Sequence, residues 1–183
     1  SEHRPPGKVL FIKLYEMGSI IMAYPLIQQV RADHPSAELF ILTFESNRGV
    51  LRLLDDIIPP GNIFAIRRDK AFLPGDLLAA VRRIRREDID VVFDLEFFSR
   101  YSAVLSFLVG PRQRVGFFRY GFEGLYRGDL MTHKVQYNPL IHMSRCYLSL
   151  GQVIRQPGKA TPEMEYAVEE AAPVWPAHRS EPA

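Results

Sequence analysis

The 183-residue sequence has one cysteine, Cys146. That excludes an intrachain disulfide framework and fits a reducing compartment. No apolar run is long enough to span a bilayer, and the opening SEHRPPG lacks the apolar segment of a signal peptide. Several nucleotide and catalytic signatures are also missing. There is no G-x-G-x-x-G, no G-x-x-x-x-G-K-[ST], no nucleophile elbow and no Cys/His set at metal-ligand spacing. These absences argue against dinucleotide binding, P-loop chemistry, the serine-hydrolase elbow and a zinc site. No repeat or low-complexity segment is visible. Charge of either sign is nearly balanced, at a formal +2, far short of a nucleic-acid-binding signature.

The balance hides an asymmetry. Residues 1–155 carry 21 Lys/Arg against 16 Asp/Glu, whereas residues 156–183 carry 2 against 5 and are interrupted by Pro157, Pro162, Pro173, Pro176 and Pro182. The first part reads as a mildly basic domain, compatible with an anionic substrate or membrane surface. The second reads as a Pro-rich acidic linker or tail.

Within residues 1–155, apolar strand-like runs alternate with helical patterns. Val9 to Ile12 is apolar on both faces, as a strand buried in a parallel sheet must be. Tyr15 to Ser19 breaks it, and Ser19 precedes an apolar run, so it is the expected N-cap of a helix ending near His34-Pro35. Pro25 falls inside that helix and predicts a short first turn, Ser19–Ala23, then a kink. Further strands are expected at Glu38–Phe44, Asn62–Ile66, Ile89–Leu95 and Val115–Phe117. Helices are expected near Asn47–Leu54 and over Leu73–Arg86, Phe98–Val109 and Pro139–Ile154, with Phe118–Tyr137 as an aromatic loop. The alternation predicts an α/β fold, a Rossmann-like, mostly parallel sheet with helices on both faces. Ligands of such sheets bind at the carboxyl edge, where helix N-termini supply free N–H groups. That directs attention to the loop around Gly18.

Two acidic groups fall near this edge besides Asp94, which reads as a cap for the following helix. Glu16 is either a general base or an exposed loop glutamate, and Glu96 sits just past the fourth strand. Lys13 is either an anion contact or a snorkelling strand-end lysine. Arg100, Arg112, Arg114, Arg119 and Arg127 recur near the later loops, where guanidinium forks bind phosphate or carboxylate; solvated surface is the alternative. The run Arg82–Arg86 reads as a solvated helix face, with anionic lipid as a further possibility. Phe117, Phe118, Tyr120, Phe122 and Tyr126 are either core or a sugar or lipid platform. His133 and His142 read as structural.

Three segments, KVLFIKLYEMGSIIMAYPLIQQVRADHPSAELFILT, DIDVVFDLEFFSRYSAVLSFLVGPRQRVGF and HMSRCYLSL, occur in this order over most of residues 8–154. Together they resemble the N-terminal half of glycosyltransferase family 9, the ADP-heptose:lipopolysaccharide heptosyltransferases. The resemblance implies half of a GT-B architecture: an acceptor-side domain facing a C-terminal donor domain. It implies inverting, metal-independent transfer of a heptose-like sugar from a nucleotide sugar such as ADP-heptose to a lipopolysaccharide-core-like acceptor, with no cofactor. A lipid-linked glycan acceptor, the donor domain and an anionic membrane are the implied partners, at the cytoplasmic face of the inner membrane. Where the family places an Asp after the loop glycine as presumed base, this chain has Ser19. Glu16, or Glu96 where the family often has Gln, then takes the catalytic role. Lys13 and Ser19 match family cleft positions, Arg100 a basic residue after the fourth strand, and His142 with Arg145 a pair in the last helix. Lys13, Gly18, Ser19, Arg100, Arg119, Tyr126 and His142 are thus the expected substrate-binding residues. The family's length implies that this chain is the N-terminal part of a longer protein and does not turn over a nucleotide sugar alone. A scaffold module that kept the fold and lost the chemistry is the competing expectation. A response-regulator-like module is a weaker one, since no acidic cluster closes the first strand.

Overall fold

A computed structural model describes residues 5–68, 74–97, 99–118 and 129–155. Its strands are β1 (Lys8–Ile12), β2 (Glu38–Phe44), β3 (Ile63–Ile66), β4 (Val91–Asp94), β5 (Gln113–Phe118) and β6 (His133–Gln136). They form one all-parallel sheet in the order β3-β2-β1-β4-β5-β6. Its helices are α1 (Met17–Asp33), the single turn α2 (Arg48–Leu51) flanked by 3₁₀ turns, α3 (Pro74–Arg85), α4 (Arg100–Val109) and α5 (Met143–Arg155). The strand order reverses between β1 and β4, and in doubly wound sheets the crevice at that reversal is where ligands bind.

Side-chain alternation along β1 explains the two helical layers. Val9 and Phe11 point to one face and join α1 and α5 in a core with Tyr147 and Leu150. Leu10 and Ile12 point to the other and join Val81 and Ile84 of α3 and Leu105 and Val109 of α4. Both faces are therefore apolar, as a central parallel strand requires. Phe11 and Phe93, paired in register, also stack at 5.4 Å between ring centres.

Three local expectations need correction. Helix α1 runs unbroken from Met17 through Pro25, with no separate first turn. Proline costs a helix interior about 3 kcal/mol, but Ile20, Tyr24, Leu26, Ile27 and Val30 of α1 are buried, at roughly 1.5–3 kcal/mol for each large aliphatic side chain. Packing outweighs the lost hydrogen bond. Ser19 lies inside α1, and Glu16 occupies the N-cap position without a side-chain capping bond. Finally, the segment expected to be loop contains β6. Its sequence HKVQ buries Val135 fully while Lys134 and Gln136 stay at least partly exposed, so this last strand of the sheet has no apolar run to reveal it.

Helix α4 ends as anticipated. Gly110 adopts a left-handed conformation, φ 80°, and its N–H bonds to Phe107 O, the geometry glycine supplies at a helix C-terminus. Among the described residues no helix is long and apolar enough to cross a membrane.

Helices α1 and α5 approach closely at Gly151, where a Cβ would lie 2.9 Å from Leu26 Cδ1. Gly18, in contrast, has open space around it. Gly151→Ala should lower stability by about 1 kcal/mol, overpacking outweighing the gain in helix propensity, and Gly151→Val by more. Gly18→Ala should leave stability unchanged or raise it by about 0.5–1 kcal/mol. Urea denaturation of the variants checks the order, and a Gly151→Val protein as stable as wild type would contradict this packing.

Candidate functional site

The loop from β1 to α1 and the loop from β4 to α4 meet at the strand-order reversal, and each contributes one of the two expected carboxylates. Glu96, past the end of β4, is only 6% exposed. Its Oε1 accepts three hydrogen bonds from the neighbouring loop: Lys13 Nζ at 3.1 Å, the Leu14 N–H at 2.7 Å and the Tyr15 N–H at 3.0 Å. Lys13 is 1% exposed, so this is a buried ion pair reinforced by backbone donors. Lys13 is therefore not a snorkelling surface lysine: its ammonium turns inward and is matched there.

The same loop is held from its other side. Asn47, buried in the 3₁₀ turn that follows β2, donates through Nδ2 to Leu14 O at 2.8 Å and Thr43 Oγ1 at 3.0 Å. Asp94, fully buried, accepts the Glu96 N–H through Oδ1 at 3.0 Å and the Ser102 hydroxyl through Oδ2 at 2.9 Å. Asp94 is not the cap of α4. Ser99 is, its hydroxyl accepting the Ser102 N–H. The polar network thus runs from α4 through Asp94 and Glu96 into the β1–α1 loop.

Immediately after the pinned amides, Glu16 takes φ 60°, ψ 94°. A non-glycine residue at positive φ stores of order 1–3 kcal/mol and persists only where its surroundings impose it; here the bonds to Leu14 and Tyr15 impose it. The residue is exposed, as are Met17 and Gly18, so the junction is open at the sheet edge. Glu16 Oε2 accepts the hydroxyl of buried Ser19 at 2.9 Å. A carboxylate therefore stands at the side chain of Ser19, at the N-terminus of α1, where the helix dipole favours negative charge.

Beneath these groups lies Tyr147 of α5, its side chain fully buried and its hydroxyl without a hydrogen bond of normal geometry. Burial, with the negative charges of Glu96 and Glu16 adding to it, raises its pKa well above the usual phenol value; the proximity of the Ser19 hydroxyl opposes the shift. Tyr147 closes an aromatic cluster with Phe97, Phe117 and Tyr137, ring centres 4.9–6.1 Å apart. Phe117 is thus core. Burial likewise raises the Cys146 thiol, whose Sγ donates to Asn138 O, leaving it the character of an inert core cysteine.

The remaining expected residues distribute as follows. Gly18 lies in the exposed first turn of α1 and Arg100 at the exposed start of α4. His142 is an exposed residue at the start of α5; its Nδ1 accepts the Ser144 N–H at 3.3 Å, and its carbonyl accepts the N–H of Arg145 and Cys146. That is a helix-capping role. Arg119 and Tyr126, with Tyr120, Phe122 and Arg127, lie outside the described residues. Arg112 and Arg114 flank the start of β5, at the opposite sheet edge from Arg100. Arg114 is spent on the carbonyls of Leu130 and Pro111. Tyr147 is legible as a core position of the last helix, but neither it nor Asn47 carried a signal as part of this site, because only the adjacency of β2, α1 and α5 gives them their partners.

Neither a family model nor a curated protein matches the sequence. Solved structures do match the fold. The chain is similar to a glycosyl transferase family 9 structure from Veillonella parvula DSM 2008, with TM-score 0.60 and 13% identity over 81% of this chain and 41% of that one. It is similar to E. coli heptosyltransferase WaaC with ADP-2-deoxy-2-fluoro heptose, at 0.64 and 15%, covering 79% and 47%. It is similar to E. coli ADP-heptose lps heptosyltransferase II, at 0.62 and 20%, covering 79% and 40%. At these identities the likeness establishes the fold, the Rossmann-like α/β architecture of these transferases. The chain spans less than half the length of each of these structures.

Removing one partner of a buried ion pair costs about 3–5 kcal/mol. Glu96→Ala and Lys13→Met should each destabilise on that scale, and the double substitution by clearly less than the sum. A double-mutant cycle in urea reads the coupling, and additive losses would show the pair to be uncoupled. Tyr147→Phe removes a buried, unpartnered hydroxyl and should raise neutral-pH stability by up to about 1 kcal/mol. Its pH signature follows from linkage. The unfolded phenol ionises near pH 10 while the folded one keeps its proton, so this group leaves wild-type stability undiminished below about pH 10 and lowers it progressively above. Tyr24 and Tyr101, also raised by burial, act in the same direction. Melting temperatures across that range should fall less steeply for Tyr147→Phe than for wild type.

Proposed function

We propose that this chain is the acceptor-side domain of a family 9-like glycosyltransferase, with Glu16 as its general base. The observation that carries the proposal is the Glu16 carboxylate, exposed at the strand-order reversal and oriented by the Ser19 hydroxyl at 2.9 Å. The likeness in fold to heptosyltransferases and the ordered sequence resemblance supply the substrate class: a heptose-like sugar leaving a nucleotide diphosphate for a lipid-linked, lipopolysaccharide-core-like acceptor at the cytoplasmic face of the inner membrane. The donor nucleotide sugar is assigned to a second domain of a longer protein. No cofactor or metal enters this reading.

In this mechanism the acceptor hydroxyl approaches over Gly18, whose surroundings are open. Its proton passes to Glu16, its oxygen bonds the anomeric carbon from the face opposite the diphosphate, and the diphosphate departs with the electron pair of the broken C–O bond. Inversion follows from that in-line geometry. Ser19 uses one lone pair of Oε2 and leaves Oε1 for the incoming proton. Glu96 has Oε1 committed to three donors, so it is assigned to positioning the loop rather than to proton removal. Lys13 acts through Glu96. Arg100 at the exposed start of α4 is assigned to an anionic group of the acceptor; Arg119, Tyr126 and His142 belong to the same acceptor-binding set.

The test is glycosyl transfer from ADP-heptose by this domain together with its donor half. A positioned general base contributes about 10²–10⁴-fold, so Glu16→Gln should lower kcat by that order with little change in the acceptor KM. Ser19→Ala should cost less, because it loosens the carboxylate without removing it. The chain alone should bind an acceptor glycolipid in calorimetry without consuming the nucleotide sugar. Transfer at an unchanged rate in Glu16→Gln would remove the base assignment, and acceptor binding with no transfer at all would favour a scaffold module.

A further inference from the structure

Helices α3 and α4 lie side by side on one face of the sheet, and their inner sides are filled by Val81, Ile84, Leu105 and Val109. The outer side of α4 is inverted relative to an ordinary surface helix, which places charge toward water, whereas α3 turns arginines outward. Helix α4 exposes Val104, Phe107 and Leu108 at 44%, 52% and 38%. With Arg100 these stand at i, i+4, i+7 and i+8, a stripe about 100° wide. Helix α3 exposes Leu78 at 46%, with Arg82, Arg85 and the adjoining Arg86 exposed on the same stripe. Among the side chains described on α3 and α4 no exposed one is acidic; Asp88, three residues past the end of α3, is exposed.

The apolar and basic parts are contiguous. The Arg85 guanidinium lies beside the C-terminus of α4, 3.8 Å from where a Cβ on Gly110 would sit. The Arg114 guanidinium stands 5.5 Å from the Phe107 ring centre. Apolar side chains interleaved with arginines, whose stems are themselves apolar, match a lipid headgroup layer.

We propose that the outer face of α3 and α4 docks on an anionic lipid bilayer. Charge complementarity selects this occupant. A two-fold dimer through the same face would bring its arginines toward their own copies, which repels. Anionic headgroups neutralise all of them while the acyl boundary takes Val104, Phe107, Leu108 and Leu78. The face lies on the broad side of the sheet, so docking leaves the carboxyl edge with Glu16 accessible. The proposal does not depend on sugar transfer.

Co-sedimentation of the full chain with phosphatidylcholine vesicles, with and without phosphatidylglycerol, tests it. Binding should require phosphatidylglycerol and weaken with added salt. Each exposed arginine near an anionic surface changes partitioning roughly fivefold, so Arg82→Ser/Arg86→Ser should lower it by more than tenfold. Phe107→Ser should lower it several-fold on the anionic vesicles. Circular dichroism verifies that each variant folds; Val104→Ser/Arg85→Ser replaces any that does not. Equal binding to neutral and anionic vesicles, no binding to either, or insensitivity to the arginine pair would overturn the proposal. So would lipid-free self-association in analytical ultracentrifugation that Phe107→Ser abolishes, since a second copy would then cover the face.

Discussion

A buried charge pair, Lys13 with Glu96, holds the carboxyl edge of this sheet together. Two ions removed from water are costly, and they persist where the geometry also satisfies their other hydrogen-bonding groups. Here one carboxylate oxygen serves an ammonium and two successive amides. Those amides belong to the loop entering α1, so the cost of burying the pair is offset in part by donors that a loop would otherwise leave unsatisfied. Asn47 takes the Leu14 carbonyl from the other side. The loop is consequently clamped between β2 and β4, and the unfavourable backbone of Glu16 becomes tolerable at its exposed end.

The consequence for chemistry is a division of labour between two carboxylates of different environment. Glu96 is dry and its bonding oxygen heavily engaged; Glu16 is wet and held by one hydroxyl. The first suits rigidity; the second is the one open to solvent, on which the proposed base role rests. Tyr147 beneath them stays protonated because burial and neighbouring negative charge both disfavour phenolate, so it adds no charge to the site.

The broad helical layers carry separate tasks. Helices α1 and α5 approach closely at Gly151, where the middle of α1 packs against α5. Helices α3 and α4 fill the opposite face and turn an apolar, arginine-bearing surface outward. One layer is closely packed within itself; the other is free to meet a surface.

Periodicity alone settled much of this architecture. The buried runs of β1, β2 and β4, the helices that follow them, and the glycine stop at Gly110 are local patterns whose side-chain spacing admits few alternatives. The places of Glu16 and Glu96 near the carboxyl edge came the same way, from the ends of strand-like runs, while their catalytic nomination came from the family resemblance. Strand order, the burial of Lys13 and the polar strand β6 were not local properties. They depend on which strands become neighbours, and that contact is made by residues about eighty positions apart, Lys13 with Glu96 and Val9 with Val91. Hydrogen bonds between such distant groups leave no spacing in the sequence to read. For that reason the chain announced two carboxylates at one sheet edge, while only its folding decided which would be buried against Lys13 and which would stand exposed.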